Sequence, residues 1–369
     1  MKVKDIAGIN LKTINKKYEG QIQYLDTSSV TDNHFEGYRT YGNMQSAPSR
    51  ARRIANIGDT VISTVRPNQK HNGFIDIQPD NAIYSTGFTI VSPNTDRINP
   101  YYLYLFLSSE KVTEFLQQIG ETSTSAYPSV KPSDIGNLDI ALPSRDVQDK
   151  ISKEIYLLDS KIKLNNKIND NLKLTLTTIF KSQINSFGFD EANLTDIATY
   201  KNGLAMQKYR PKPNEQSLPV LKIKELNQGY TDTSSDRCSA KIDEDVTVHT
   251  GDIIFSWSGT LLVKNWSGKT AGLNQHLFKV ISKNYPDWFI YEWTKHHLRK
   301  FQSIAAGKAT TMGHIKRSDL ASSRVIIPDK NSLAKLDAIM KPLYDKRIEI
   351  IKENQRLIEI KEMLLQKYF

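Results

Sequence analysis

The stretch VQDKISKEIYLLDSKIKLNNKINDNLKLTLTTIFKSQ (147–183) decides the architecture of this chain. Apolar side chains recur in it at alternating spacings of four and three residues, and the same pattern returns in SLAKLDAIMKPLYDKRIEIIKENQRLIEIKEMLLQKY (332–368). This heptad spacing is typical of a coiled-coil seam. A helix of about 37 residues is about 55 Å long at about 1.5 Å per residue. Because an isolated helix gains too little from propensity alone, the pattern predicts that the two helices pair with each other.

Both predicted seams contain an asparagine, Asn169 in the first and Asn354 in the second, 185 positions apart (354 − 169). A buried asparagine in a seam lowers stability and fixes the register of the helices. The alternative is that both amides lie where the seam is frayed or widened and specify nothing. The predicted seam residues are Ile151, Ile155, Leu158, Ile162, Asn165, Asn169, Leu172, Leu176 and Ile179, followed by Leu336, Met340, Leu343, Arg347, Ile350, Asn354, Leu357, Lys361 and Leu364.

The chain is a tandem duplication of about 185–195 residues, because four segments recur in the same order with nearly constant offsets. Long self-similarity of this kind is unlikely by chance. The matching pairs are Val3-Lys4-Asp5-Ile6-Ala7 with Leu194-Thr195-Asp196-Ile197-Ala198, Gly58-Asp59-Thr60 with Gly251-Asp252-Ile253, Lys131-Pro132-Ser133-Asp134 with Lys316-Arg317-Ser318-Asp319, and Pro143 with Pro328.

Each repeat is predicted to be a mixed globular unit followed by a long helix. A Gly-Asp turn leads into a β-branched strand, a second strand follows, and aromatic residues at helical spacing then indicate a core helix. A final strand ends at the proline of each repeat. The predicted final strands are 138–142 and 324–327.

The predicted fold class is therefore α+β, with two tandem-repeated mixed α/β domains separated by two long helices. The whole second unit lies between the helices, which leaves enough chain to place them as an antiparallel coiled coil with pseudo-twofold symmetry. The predicted boundaries are 1–146 for the first domain, 147–187 for the central helix, 188–330 for the second domain and 331–369 for the C-terminal helix.

Composition limits the class of protein. The chain has no run of 18 apolar residues and begins with charged residues, which predicts a cytoplasmic protein with no membrane partner. The single cysteine, Cys238, excludes an internal disulfide and a cysteine-based zinc site. The net charge of +10 is spread thinly, from 0 over 1–146 to +5 over 188–330, where 20 Lys and Arg stand against 15 Asp and Glu. DNA binding must therefore be argued from architecture and local clusters.

No catalytic signature stands out in the sequence. It has no phosphate-binding Gly-x-x-x-x-Gly-Lys loop, no Gly-x-Gly-x-x-Gly and no metal-binding His-Glu-x-x-His. Asp345 with Glu359 and Lys361 faintly matches a nuclease carboxylate-lysine pattern, but these residues belong to a heptad helix, where solvated charges are common. We therefore predict a recognition protein that is not an enzyme, with no metal and no cofactor of its own.

Candidate contacts to nucleic acid lie in the loops between the recurring elements. They combine cations, amides able to bond base edges, aromatic rings, and hydroxyl groups suited to phosphate. In the first repeat they are Arg50, Arg52, Arg53, Arg66, Asn68, Lys70, Asn72, Ser123 and Thr124; in the second they are Trp257, Lys264, Trp266, Asn274, Gln275, His276, Lys308, Thr310, Thr311 and His314. For any one of them, an ordinary polar surface loop is the competing interpretation.

The chain resembles the DNA-specificity subunits of type I restriction-modification systems over essentially its whole length. The resemblance depends on the tandem repeat, the Gly-Asp-strand element, the loop 307–315 that leads to the strand ending at Pro328, and the long helix closing each half. The first copy departs from the usual loop, with Ser123-Thr124-Ser125-Ala126-Tyr127 in place of Thr-Thr-x-x-His.

The resemblance implies that each globular domain is a target-recognition domain reading one half of a bipartite, asymmetric site in double-stranded DNA. It implies that the helices set the gap between the halves and that the chain itself has no catalytic activity. The implied partners are two methyltransferase subunits, which bind S-adenosylmethionine, and in a complete enzyme two ATP-driven restriction subunits. The alternatives are an enzyme carrying its own recognition domains and a coiled-coil adaptor with two protein-binding domains.

Overall fold

The computed structural model describes residues 1–123, 127–184, 190–307 and 313–369, and the chain divides into two compact units. The first consists of Met1–Ser160 and Ile360–Phe369, and the second is Lys161–Glu359. Each long helix contributes to both units. No helix in the described ranges is long and apolar enough to cross a membrane.

The first unit is built on two sheets and a small hairpin. Its strands are β1 (Ala7–Ile9), β2 (Lys12–Thr13), β3 (Ile22–Leu25), β4 (Val30–Thr31), β5 (His34–Phe35), β6 (Arg39–Tyr41), β7 (Ala51–Ile54), β8 (Thr60–Ser63), β9 (Asn72–Phe74), β10 (Ala82–Ser85) and β11 (Phe88–Pro93). Its helices are α1 (Pro100–Leu107), α2 (Glu110–Glu121), α3 (Pro132–Gly136) and the beginning of α4 (Arg145–Gln183).

The second unit contains the corresponding elements. Its strands are β12 (Asp190–Asn193), β13 (Thr199–Asn202), β14 (Ser217–Leu221), β15 (Arg237–Ser239), β16 (Thr247–Val248), β17 (Ile253–Ser256), β18 (Val263–Asn265), β19 (Ala271–Leu273), β20 (Leu277–Ile281) and β21 (Arg324–Ile327). Its helices are α5 (Leu194–Ile197), α6 (Ile223–Gln228), α7 (Asp287–His296), α8 (Leu298–Ala306), α9 (Arg317–Ala321) and most of α10 (Lys330–Tyr368).

The sheet topology confirms the duplication. One antiparallel sheet has the order β1-β11-β8-β9 in the first unit and β13-β20-β17-β18 in the second. In the other sheet, β7-β10-β3-β6 corresponds to β16-β19-β14-β15, with one parallel pair in each, β10 with β3 and β19 with β14. The mixed helix-and-sheet fold class predicted from the sequence is therefore confirmed.

The predicted aromatic helices are core elements. In α1, Tyr101, Tyr102 and Tyr104 are buried in the main cluster of the first unit. In α7, Trp288 and Trp293 are buried in the main cluster of the second unit. The predicted final strand differs between repeats: 324–327 is the strand β21, paired with β12, whereas 138–142 has an isolated bridge from Asp139 to Lys2, flanked by hydrogen bonds from Val3 N–H to Leu138 O and from Ile140 N–H to Met1 O. The prediction of a regular strand at 138–142 is thus wrong, because residues 1–3 beside it pair with it through a single bridge, whereas β12 pairs with β21 at four positions.

Within the second unit, α4 and α10 meet through a buried group of asparagines. Asn165 donates its amide to Asn354 Oδ1 at 2.8 Å, and Asn354 donates to Asn166 Oδ1 at 2.8 Å. Asn165 also donates to Glu353 at 2.8 Å. Asn354 thus forms an amide pair across the seam, as its sequence position predicted, but its partners are Asn165 and Asn166.

Asn169 does not meet Asn354. In a pair of antiparallel helices, the residue numbers of facing positions add to a constant. That sum is 519 for Asn165 and Asn354, so the position opposite Asn169 is Ile350. An isoleucine offers no hydrogen bond, and Asn169 Oδ1 is buried without a partner among the described residues. The two equivalent asparagines are therefore offset along the seam, and only Asn354 has an amide partner.

This offset predicts opposite effects of two equivalent substitutions. Asn354→Leu should lower the free energy of unfolding of the second unit by about 1–3 kcal/mol, because it removes the hydrogen bonds to Asn165 and Asn166 and leaves the buried Asn165 amide with Glu353 alone. Asn169→Leu should be neutral or stabilising, because it removes a buried oxygen that has no partner. Urea unfolding of the two variants measures both effects, and equal losses of stability would contradict the register.

Within the first unit, the last residues of α10 complete the core. Leu364, Leu365, Tyr368 and Phe369 pack against the main cluster of that unit, and the Phe369 ring centroid lies 5.1 Å from that of Tyr102. The helices run antiparallel there, because Asp159 faces Lys361 while Glu154 faces Tyr368.

A charged group lies inside this contact. Lys361 Nζ donates to Asp159 Oδ1 at 2.7 Å, and the Tyr101 hydroxyl donates to Asp159 Oδ2. The side chains of Lys361 and Asp159 are 15% and 17% exposed, so the ion pair is largely shielded from water. Burial alone would lower the pKa of Lys361, but the Asp159 carboxylate beside it raises that pKa above its usual value.

Candidate nucleic-acid interface

In the first unit, the loop after β8 is fixed to the segment that precedes α3. Arg66 N–H donates to Pro128 O at 2.8 Å, and Val130 N–H donates to Thr64 O at 2.9 Å. Val65 and Ser129 form an isolated bridge between these hydrogen bonds. The two segments are therefore held side by side at the end of the β8 strand.

Half-buried Arg66 and exposed Tyr127 form a pair on this surface. The Arg66 guanidinium lies over the Tyr127 ring at 4.2 Å from its centroid, and Tyr127 is 56% exposed. Arg66 has a left-handed backbone with φ of 50°, which turns the chain sharply into the following helical turn. A planar cation stacked on an accessible ring suits contact with a base or a phosphate.

Asn68 and Lys70 lie on the same loop and are tied to α2. Asn68 is exposed, and its backbone N–H donates to Gln117 Oε1 at 3.2 Å. Lys70 Nζ forms an ion pair with Glu110 Oε2 at 2.6 Å. The structure thus places Arg66, Asn68 and Lys70 on one loop, with the Lys70 charge partly balanced by Glu110.

The cluster Arg50, Arg52 and Arg53 is divided by strand geometry. Arg50 is exposed just before β7, whereas Arg52 and Arg53 lie within β7 and are half-buried. Successive side chains of a strand point to opposite faces, so Arg52 and Arg53 do not share a surface. Arg52 Nη1 and Arg53 Nε are buried without hydrogen-bond partners in the described ranges.

The second unit repeats the arrangement of loop and bridge with different side chains. Ile315 N–H donates to Trp257 O at 3.1 Å, and Ser258 forms an isolated bridge with His314. By strand position, Trp257 and Ser258 follow β17 as Thr64 and Val65 follow β8. The same backbone framework therefore presents polar and apolar aliphatic side chains in one copy and an indole and a hydroxyl in the other.

An aromatic and imidazole cluster covers this end of the second unit. The Trp257 ring centroid lies 5.8 Å from those of His276 and Phe278 and 6.4 Å from that of His314. Trp257 Nε1 is buried without a hydrogen-bond partner among the described residues. An incoming acceptor such as a base edge or a phosphate oxygen can reach this N–H only after the side chains that cover it move.

His276 is oriented by its two polar neighbours. Its Nε2 lies 3.4 Å from the amide nitrogen of Gln275, and its Nδ1 lies 3.0 Å from Ser258 Oγ. Both ring nitrogens of His276 therefore have a polar neighbour within hydrogen-bond distance. Gln275 and His276 are half-buried, which leaves part of each accessible from solvent.

Lys264 is held away from this cluster. Its Nζ donates to Asn227 O at 2.6 Å. Burial and the nearby positive charge of Lys173 lower the pKa of Lys264.

Burial corrects the predictions for three side chains. Trp266 is fully buried in the core beside β18, and its indole N–H donates to Lys269 O at 2.8 Å. Asn72 and Asn274 are 4% and 7% exposed. The sequence predicted that all three side chains contact DNA from surface loops. In the structure all three are buried, so none of them is on the surface.

Part of the predicted set lies outside the described residues, namely Thr124, Lys308, Thr310 and Thr311. Ser123 is described, and its hydroxyl accepts a hydrogen bond from Ser129 Oγ at 3.4 Å. No group of three or more His, Cys, Asp or Glu side chains in the described ranges is arranged to hold a metal ion.

Sequence reasoning missed two residues of these surfaces. Tyr127 is not among the DNA-contact residues predicted from the sequence, although it is the last residue of the segment that corresponds to 307–314. Arg317 lies over the Phe278 ring at 5.7 Å and donates to Tyr200 O at 3.3 Å, at the edge of the aromatic cluster. The available signal was the repeat itself, since Arg317 occupies the place of Pro132 in an otherwise matching segment.

Each of the two repeats matches the same known protein domain. The model of the type I restriction modification DNA specificity domain matches residues 1–174 and again 188–362. The chain therefore belongs to the type I restriction-modification DNA-specificity family, and the resemblance found in the sequence is confirmed.

Two curated relatives are similar to this chain. The specificity subunit of the type I restriction enzyme HindI from Haemophilus influenzae is 30% identical over 161 residues, which cover 44% of this chain and 35% of that protein. The specificity subunit of the type I restriction enzyme MjaIX from Methanocaldococcus jannaschii is 25% identical over 329 residues, which cover 80% of this chain and 74% of that protein. The match thus spans about a third of the Haemophilus relative.

A solved structure shares the fold. The crystal structure of a type I restriction-modification system S subunit from M. genitalium matches with a TM-score of 0.52 at 13% identity, covering 100% of this chain and 95% of that one.

Proposed function

We propose that this chain is the sequence-specific DNA-recognition subunit of a type I restriction-modification complex. Each unit reads one half of a bipartite, asymmetric DNA site, and the chain performs no catalysis itself. The double match to the DNA-specificity domain carries this proposal, because one recognition module present twice in one chain provides two reading surfaces.

The chemistry of the two surfaces supports an asymmetric site. The first unit presents a guanidinium stacked on a tyrosine, Arg66 on Tyr127. The second presents an indole and two imidazoles, those of Trp257, His276 and His314. Arginine forms bidentate hydrogen bonds with guanine, whereas an indole N–H donates a single bond to an acceptor. Two surfaces that differ in this way favour different half-site sequences.

The paired helices α4 and α10 supply the contact surface for the partner subunits in this proposal. The partners are two methyltransferase subunits and, in a complete enzyme, two restriction subunits. S-adenosylmethionine is then bound by the methyltransferase and ATP by the restriction subunit, and this chain holds no cofactor.

Methylation mapping tests the proposal. Single-molecule sequencing of genomic DNA from cells with and without the gene should show one bipartite motif whose adenine methylation depends on this chain. Co-expression with a methyltransferase subunit should yield a stable complex that protects the same motif from nuclease digestion. Complex formation without any DNA footprint would instead support an adaptor of protein complexes, and loss of no motif would refute the proposal.

Arg66→Ala should weaken recognition of one half-site only. Loss of a base contact made by Arg66 beside Tyr127 should cost about 1–3 kcal/mol of binding free energy. Competition binding of the methyltransferase complex, with base changes placed in either half of the DNA, measures this effect. Arg97→Ala is the matched control, because Arg97 is an exposed arginine of the same unit that bonds Asp5 O. Equal losses at both half-sites would argue against the assignment.

A further inference from the structure

A polar groove in the second unit lies between two of its loops and the outer face of α10. His249, Thr250 and Thr270 line the groove from the loops, and Lys352, Gln355 and Arg356 line it from the helix. Glu359 closes one end. Every lining side chain is polar or charged, so the groove does not suit the apolar face of a partner helix.

The groove has a fixed wall. The Thr250 hydroxyl contacts Gln355 Oε1, and Gln355 Nε2 donates to Glu359 Oε1 at 3.3 Å. Gly251 has φ of 103°, and a Cβ atom there would lie 3.0 Å from Ile348 Cγ2. The loop therefore lies directly against α10, and a side chain at position 251 would have to displace it.

Lys352 and Arg356 bring unbalanced positive charge to this groove. They are exposed and one helical turn apart, and neither makes an ion pair or hydrogen bond with any residue in the described ranges. Other cations of α10 do have partners: Lys341 pairs with Asp345 at 2.6 Å, and Lys346 with Glu349 at 3.0 Å. Like charges at this spacing destabilise a helix, so the pair costs stability unless an anion lies between them.

The one carboxylate of the groove does not balance this pair. Glu359 accepts from Gln355 and lies 3.8 Å from Lys269 Nζ. Two cations beside the Thr270 hydroxyl match the needs of a phosphate group, which accepts several hydrogen bonds and carries negative charge, whereas the Thr250 hydroxyl is already bonded to Gly268 O and to Gln355.

The cation pair belongs to the second repeat alone. The positions equivalent to Lys352 and Arg356 in the first repeat, 185 residues earlier, are Lys167 and Asn171. The segment 188–330, which contributes the loops of the groove, also has the largest charge excess of the chain, +5.

We infer that this groove binds a phosphate of the DNA backbone and gives the second unit a contact that does not depend on base sequence. The inference rests on the proposed DNA recognition, and it adds a positioning site outside the loops that read the bases. Such a contact raises affinity for every DNA sequence equally and leaves the preference among sequences unchanged.

The test uses the full chain co-expressed with its methyltransferase subunits. The double variant Lys352→Gln, Arg356→Gln should lower affinity for cognate and unrelated duplexes by the same factor. In a salt titration, the slope of log K against log salt should become shallower by about 1, since each phosphate contact contributes about 0.9. Both side chains are exposed, so the variant should fold, which circular dichroism checks. The matched control Lys341→Gln, Lys346→Gln removes the same charge from the same helix outside the groove and should change the slope far less.

Three results would overturn the inference while leaving DNA recognition intact. One is that the double variant Lys352→Gln, Arg356→Gln binds cognate DNA normally and keeps the wild-type slope of log K against log salt. Another is loss of methyltransferase co-purification with an unchanged slope, which would assign the groove to an acidic protein partner. The third is a changed ratio of cognate to unrelated affinity, which would make the groove a base-reading site. If the wild-type complex shows no preference for any duplex, the proposed function fails, and this inference fails with it.

Discussion

Replacing Lys361 with methionine will destabilise the first unit by about 3–5 kcal/mol, because it leaves the buried Asp159 carboxylate without its cation. Asp159 accepts hydrogen bonds from both Lys361 and Tyr101, and the three residues join α4, α10 and α1. A loss of this size is a large fraction of the whole stability of a typical domain, about 5–15 kcal/mol. Hydrogen exchange of the first unit should therefore show general opening, while amides of the second unit keep their protection.

Two further variants separate the ion pair from simple packing. Asp159→Asn added to Lys361→Met should recover much of the stability, because both charges are then absent and Tyr101 retains an acceptor. Lys367 is an exposed lysine six residues further along α10. The substitution Lys367→Met should change stability by less than about 0.5 kcal/mol. No recovery in the double variant would show that the unpaired charge of Asp159 is not the source of the loss.

Lys361 and Tyr101 also make the stability of the first unit depend on pH in the alkaline range. The folded-state pKa of Lys361 is raised, so its contribution is fully present below the unfolded lysine value of about 10.4 and is lost as pH rises through the folded value. Burial also raises the pKa of Tyr101, so deprotonation of that tyrosine likewise favours the unfolded chain above about pH 10. The first unit should therefore lose stability above about pH 10, and Lys361→Met should remove the lysine contribution to that loss.

Adding one heptad to both long helices, at positions that face each other, should lengthen the gap in the DNA site and leave both half-sites unchanged. Seven residues add about 10 Å of helix, which corresponds to about three base pairs at about 3.4 Å each. The expectation follows from the proposed division of labour, in which the globular units read bases and α4 and α10 set the spacing. Methylation mapping of cells expressing the variant would reveal the new motif directly.

The control inserts the heptad in α4 alone. That change shifts Asn165 and Asn166 away from Asn354 and removes the pairing that fixes the register. We expect this variant to lose methylation altogether. If the paired insertion altered the half-site sequences instead of the gap, the helices would have a part in reading bases and the proposed division would be wrong.

The duplication and its two long helices were predictable from the sequence, because the seam pattern and four matching segments keep nearly the same offset. The same offset carries through to the structure, where β8 and β17 lead to equivalent bridges at Ser129 and His314. The partner of Asn354 was not predictable. An offset of 185 relates equivalent residues, but the register of an antiparallel pair is a separate quantity that depends on how both units pack.

The errors in the candidate site have local causes. Alternation along β18 places Val263 and Asn265 inside, which would put Trp266 outside with Lys264. The strand ends at Asn265, however, and the indole turns into the core and bonds Lys269 O. A segment rich in cations, amides and aromatic rings therefore does not show which of its side chains lie on the surface and which are buried beneath the loops.

The packing of Ile360–Phe369 into the first unit also affects how a newly made chain folds. The ribosome completes 1–160 early, but the side chains that close this core, such as Phe369 on Tyr102, are not synthesised until about two hundred residues later. At about 5–20 residues per second, that interval lasts about 10–40 s. During this time the apolar surface that Phe369 later covers stays exposed on the nascent first unit, whereas all of the second unit, Lys161–Glu359, has been synthesised before Ile360–Phe369.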